Sequence, residues 1–210
     1  MKTEPTKRIP LLQEGLGEVT LILIIAEVAL ILLSWILSAA GVEGVRSLLS
    51  GEGVRWFVGD FASMVASPLL AWLLLLMIAF GALLRSGLTS LWRGGRSRMM
   101  SYRDRTAFRV SLVLLVAYIV AILLLTVVPH AVLLSVSGTL FPSPFSRSIV
   151  PIVAFGISLV SISFGMFSGR MQSLSDVLEA LSYGIQKYAS LLVLYIFCMQ
   201  LYQSLSFVFF

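Results

Sequence analysis

Charge is scarce in this sequence. Only 12% of its 210 residues are Asp, Glu, Lys or Arg, against roughly 25% in a typical soluble domain. Cysteine is nearly absent. Cys198 stands alone, which excludes an intramolecular disulfide or a cysteine metal cluster and leaves the compartment open. The single histidine, His130, cannot build a metal site with no Asp or Glu beside it, and interfacial solvation accounts for it. There is no H-E-x-x-H, no His-Asp-Ser set, no phosphate-cradling glycine loop and no pair of carboxylates within one site. Catalysis therefore has nothing to rest on, and no cofactor is expected. Segments of ~10 residues with alternating polarity are also missing, which argues against a transmembrane β-barrel.

What is present is apolar length. The chain is 59% hydrophobic with a mean hydropathy of +1.00, more apolar surface than a water-soluble core of this size could hide. Roughly 20 apolar residues in a helix cover the ~30 Å hydrocarbon layer. Five runs reach that length: Thr20–Ala40, Pro68–Leu84 extended by Phe61–Ala66, Ala107–Val128, Ser148–Phe167 and Tyr188–Phe210. The fold class read from this is all-α, a polytopic helical membrane protein forming a single domain over residues 1–210. Ser38-Ala39-Ala40 resembles a signal-peptide cleavage site. The run before it is about 21 residues, longer than the usual 7–15-residue signal core, so a retained helix is expected.

Basic residues set the expected orientation. With the N-terminus in the cytoplasm, Lys2, Lys7, Arg8, Arg85, Arg93, Arg96, Arg98, Arg103, Arg105, Arg109, Arg170 and Lys187 face inward. Of the 15 basic residues, only Arg46, Arg55 and Arg147 then lie outside, as the positive-inside bias favours. Five spans put the C-terminus outside. The formal charge of +5 is thus a topology signal. Arg93, Arg96, Arg98, Arg103 and Arg105 have the composition of a loop facing lipid headgroups. Nucleic acid is not an expected partner, because aromatic interleaving is confined to Trp92 and Tyr102. Trp35, Trp56, Trp72 and Trp92 suit membrane-boundary anchors.

Between the spans, Ser50 offers an N-cap and Glu52 an acidic first turn to a short interfacial helix over about 50–60. Ser173-Leu174-Ser175-Asp176 has the S-x-x-D form of a cap. It opens a cytoplasmic amphipathic helix over about 174–187, with Leu178, Leu181 and Ile185 on one face. Pro142 and Pro144 are expected to keep the outer loop non-helical before the fourth span.

Within the spans, Glu27 is the leading candidate for a functional polar group. It lies near the middle of the first run, flanked by Ile25, Ala26, Val28 and Ala29, where an ionised carboxyl is costly. It reads either as a proton or ion site or as a carboxyl hydrogen-bonded within the bundle, with Ser34, Thr126, Ser161, Ser163 or Gln200 as partners. Ser161, Gly165 and Gly169 are small residues four apart, with Gly156 nearby. Such a stripe lets another helix approach closely, from this chain or from another subunit.

The order of segments also carries a resemblance. Ser47-Leu48-Leu49-Ser50-Gly51-Glu52-Gly53-Val54-Arg55-Trp56 is followed by Phe80-Gly81-Ala82-Leu83-Leu84-Arg85-Ser86-Gly87-Leu88. Later come Val116-Ala117-Tyr118, Phe141-Pro142-Ser143-Pro144-Phe145-Ser146-Arg147-Ser148-Ile149-Val150-Pro151 and Phe164-Gly165-Met166-Phe167-Ser168-Gly169. Together with Ser173-Leu174-Ser175-Asp176-Val177 and the helix reaching Gln200, these resemble the p-aminobenzoyl-glutamate transporter (AbgT) family over residues 44–88 and 107–203. The resemblance implies an inner-membrane protein derived from a two-part carrier, with a dimerising frame and a transport part of re-entrant hairpins. Where that family has hairpins, this sequence has Thr89–Arg105, and it reaches Phe210 before a second hairpin. No substrate-holding position carries over.

Two readings follow. One is a non-catalytic scaffold or accessory subunit in the lipid bilayer, acting as a homodimer or with other membrane subunits. The other is a secondary transporter of p-aminobenzoyl-glutamate or another small organic anion, proton-coupled through Glu27 or completed by a separate transport half. The sequence has no internal repeat, and five spans do not divide into the inverted halves common in transporters.

Overall fold

The computed structural model describes residues 11–89, 101–127 and 144–210. Trp92, Arg93, Arg96, Arg98, His130 and Pro142 lie outside them. Among the described residues every regular element is helical: α1 Leu11–Ala39, α2 Gly51–Gly59, α3 Phe61–Val65, α4 Pro68–Ser86, α5 Tyr102–Val127, α6 Pro144–Phe167 and α7 Leu174–Phe209. Five of these (α1, α4, α5, α6 and α7) are long and apolar enough to cross a membrane. The all-α membrane fold is therefore as the sequence predicts. The chain forms two compact units, one of Met1–Leu70 with Ala189–Phe210 and one of Ala71–Tyr188.

The first unit is tied together by hydrogen bonds at helix ends. Ser50 caps α2, its Oγ accepting from Gly53 N at 3.0 Å. Gly53 has no room for a side chain, since a Cβ there would meet the backbone of Ser47 and Leu48. Ser34 Oγ donates to Ile31 O at 2.8 Å and accepts from Leu48 N at 3.1 Å, fastening α1 to the turn before α2. Arg46 satisfies carbonyls that the last turn of α7 leaves open. Its N–H donates to Val208 O at 3.0 Å and its guanidinium to Phe210 O at 3.3 Å. The same guanidinium lies 5.6 Å from the centre of the Phe207 ring, which stacks on Trp56 at 4.3 Å.

The expected second span is interrupted. Instead of one helix from Phe61, α3 ends at Val65 and α4 starts at Pro68. Proline disfavours helical geometry in the residue before it and is pre-organised for a first helical position. Ala66, at φ −74° and ψ 71°, forms an inverse γ-turn closed by Ser67 N donating to Val65 O at 2.8 Å. The Tyr195 hydroxyl donates to the same carbonyl at 2.8 Å. With the single phenol hydrogen so used, Ser67 Oγ donates to Tyr195 Oη at 2.7 Å.

In the second unit, glycines set the closest approaches. Gly81 on α4 faces Gly184 on α7: a Cβ on Gly81 would meet Gly184 and Ala180 backbone, and one on Gly184 would meet Met77 and Gly81 backbone. On α5 and α6, Tyr118 lies over Gly156, donates to Ile152 O at 2.8 Å, and contacts the Phe155 ring at 5.8 Å.

Two further expectations change. Pro144 does not hold the loop open; it is the first residue of α6, where a missing N–H costs nothing. The segments 174–187 and 188–210 follow one another within α7 as two helical stretches that meet at a kink, the non-helical Tyr188 (φ −109°, ψ 17°). The Ser173–Asp176 cap does form: Ser173 Oγ accepts from Asp176 N at 3.2 Å, while Asp176 Oδ2 accepts from Gln172 N at 2.8 Å and Ser173 N at 2.9 Å. The buried face beyond it is not the leucine stripe, however. Leu178 is 66% exposed and Ala180 1%, because the approach to α4 admits only residues with little or no side chain.

Candidate functional site

The polar centre of the first unit is Glu27, close to the midpoint of the Glu14–Ala39 spanning segment. Of its expected partners, Ser34 and Gln200 share its unit, and neither bonds to it among the described residues. The donor is Ser204 Oγ, at 2.6 Å from Glu27 Oε1. Ser204 is fully buried, and Gln200 lies four residues earlier on the same face of α7. Glu27 Oε2 and both polar atoms of the Gln200 side chain are buried without a hydrogen-bond partner among the described residues. A carboxyl, a hydroxyl and an amide thus converge on one stretch of helix face, with unspent capacity on the first and last. Ser204 was hidden in the sequence because a serine in an apolar helix ordinarily bonds its own backbone. The spacing Gln200-x-x-x-Ser204 was the available signal.

The small-residue stripe is used within this chain. Gly156 admits the Tyr118 ring, and Gly165 admits Met171, whose side chain a Cβ there would strike. Ser161 is fully buried, its hydroxyl without a partner among the described residues. Gly169 lies past the end of α6 and terminates it. At φ 78° it sits between Gly169 N→Met166 O at 3.0 Å and Arg170 N→Gly165 O at 2.9 Å, the two bonds of a Schellman motif.

Of the expected headgroup arginines, Arg103 and Arg105 are described. Arg103 lies against Gly169, so it braces the α6–α7 turn, whereas Arg105 is exposed. A second charged group, not anticipated from sequence, surrounds the same turn. Arg170 donates to Ser86 O at 3.1 Å, lies 3.6 Å from Asp104 and covers the Phe164 ring at 5.4 Å. Arg85 pairs with Glu179 and lies 5.3 Å from the Tyr183 ring centre. Arg85, Arg170, Asp176 and Glu179 line a cleft of about 190 Å³. Its charges are largely matched internally, and exposed pairs of this kind contribute ~0–1 kcal/mol each, so it holds helix ends together more than it presents a ligand site.

Comparison with known proteins supplies the family. Residues 93–208 match the family model described as "AbgT putative transporter family". No curated protein and no solved structure matches the chain. The matched range takes in α5, α6 and α7 and leaves the resemblance at 44–88 outside it. As the match spans more than half of its residues, this chain belongs to the AbgT transporter family.

Proposed function

We propose that this protein is a membrane scaffold, a reduced AbgT-like frame in the inner membrane that holds a second copy of itself or other membrane subunits by helix packing. Apart from the Ala66–Ser67 turn before α4, the near-continuity of the spans supports this reading. Among the described residues, the one non-helical position inside the five long helices is Tyr188. Solute sites at mid-depth generally need interrupted helices whose backbone ends face a cavity. The spanning segments of α1 and α5 are only 11% and 6% buried, which leaves apolar faces for lipid or for neighbouring helices. The N-terminus is assigned to the cytoplasm on the distribution of Lys and Arg.

Mass spectrometry of the intact protein after gentle extraction tests the scaffold. A stoichiometric dimer or hetero-complex is expected, and a strictly monomeric, partner-free protein overturns it. A second reading, transport of a small organic anion coupled to Glu27, is favoured by the unpartnered Glu27 Oε2 and Gln200 amide. Proteoliposomes charged with p-aminobenzoyl-glutamate separate the two. Absence of gradient-dependent uptake, with no effect of Glu27→Gln, removes this reading.

A further inference from the structure

The second unit contains an open apolar cleft of about 490 Å³ between the end of α4, α5 and α6, within the roughly 300–1,000 Å³ range of small-ligand pockets. Leu84, Leu88, Phe108, Leu115 and Val160 form its apolar walls, and Thr89 and Ser111 are its polar members. Ser111 is 1% exposed and its hydroxyl has no partner among the described residues, a condition that costs free energy in an apolar setting. Phe108, Ser111, Leu112 and Leu115 all line the cleft at helical spacing. One turn before Phe108 and two before Leu112, towards the start of α5, lies Arg105, beside Asp104, which pairs with Arg170; Arg109 lies on another side of the helix from Ser111. Arg105 and Arg109 are both exposed, with no side-chain partner among the described residues. At 1.5 Å per residue, Ser111 lies about 9 Å deeper along α5 than Arg105.

We propose that this cleft binds one anionic phospholipid, its phosphate on Arg105, an ester carbonyl accepting from Ser111 after rotation about χ1, and an acyl chain along Leu112, Leu115 and Val160. The order cation, hydroxyl donor, hydrocarbon wall along α5 is the order phosphate, ester, chain along the lipid. A free anion would use only the first of these, and phosphatidylcholine, although it carries the same phosphate, brings a choline cation that the guanidinium repels.

The test is native mass spectrometry of the delipidated full chain, titrated with palmitoyl-oleoyl phosphatidylglycerol or with phosphatidylcholine of the same chains. Saturable binding of one phosphatidylglycerol per chain, in preference to phosphatidylcholine, is expected. Arg105→Gln should weaken it about fivefold, whereas Arg109→Gln, on another side of α5, should change it little. Leu112→Trp, which fills the cleft, should abolish the saturable site with the helical circular dichroism unchanged. Equal uptake of the two lipids, or displacement of phosphatidylglycerol by millimolar inorganic phosphate, overturns the proposal. So does a Leu112→Trp variant that alters oligomeric state while leaving lipid binding intact, which would make the cleft a subunit interface.

Discussion

Replacing Gly184 with alanine sets two effects of known sign against each other. Alanine is the better helix former by about 1 kcal/mol in a helix interior, so propensity alone predicts stabilisation. The new Cβ would meet the Met77 carbonyl and the Gly81 backbone. Neither can swing aside as a flexible side chain would, so α4 and α7 must separate at their closest point. Overpacking of this kind costs about 1–3 kcal/mol, and the contact with main chain on both sides puts this site at the upper end. The net expectation is a loss of about 1–2 kcal/mol, or ~2–4 °C in Tm per kcal/mol for a chain of this size. Gly17, in α1, is the control, because nothing among the described residues lies within 4 Å of a Cβ there, and alanine should be neutral or stabilising. Tryptophan-fluorescence melts of wild type and both variants in one detergent, at one scan rate, make the comparison. A Gly184→Ala protein that melts at or above wild type would refute the reasoning, because it would mean that the two backbones do not touch.

Other substitutions should follow the same contacts. Gly169→Ala places a Cβ on a residue at φ 78° and should cost about 1–2 kcal/mol, read as a lower melting temperature. Tyr118→Phe keeps the ring over Gly156 but loses the bond to Ile152 O, a loss of about 0.5–1.5 kcal/mol in the same assay. Ser204→Ala strips Glu27 of its donor and should destabilise by about 0.5–2 kcal/mol. Glu27→Gln, which retains an acceptor oxygen, should cost less, and the reverse ranking would argue against the observed pairing. With Cys198 replaced by serine, a membrane-impermeant maleimide should label a cysteine at Gly51 from outside and one at Ser175 only after the membrane is opened, as the positive-inside orientation requires.

The helices were legible because apolar length is a strong signal, and so were their punctuation marks, the Ser50 and Ser173–Asp176 caps. The faces were not. In water an apolar stripe such as Leu178, Leu181 and Ile185 marks what is buried. In lipid that preference disappears, and the buried positions are those that allow backbones to touch: Ala180, Gly184 and Gly81. Gly81 and Gly184 are separated by a hundred residues, so no local pattern joins them. Gly165 and Gly169 did form a local pattern, yet one accommodates Met171 and the other ends a helix. Glu27 stood out as a mid-span carboxylate, but its donor came from a distant helix in which serine looks unremarkable. The Ala66–Ser67 break was signalled by Pro68 alone, and the apolar run on both sides masked it.

The Tyr195 phenol that fastens the Val65–Ser67 bend comes from a position 130 residues later in the chain. At about 5–20 residues per second of synthesis, the bend emerges from the ribosome well before its fastener exists. During that interval the bend is held by its own Ser67 N→Val65 O bond alone. Biogenesis of the unit that combines both ends of the chain is therefore necessarily late. A ribosome stalled before residue 195 would leave this turn without its clasp however well the intervening helices had inserted.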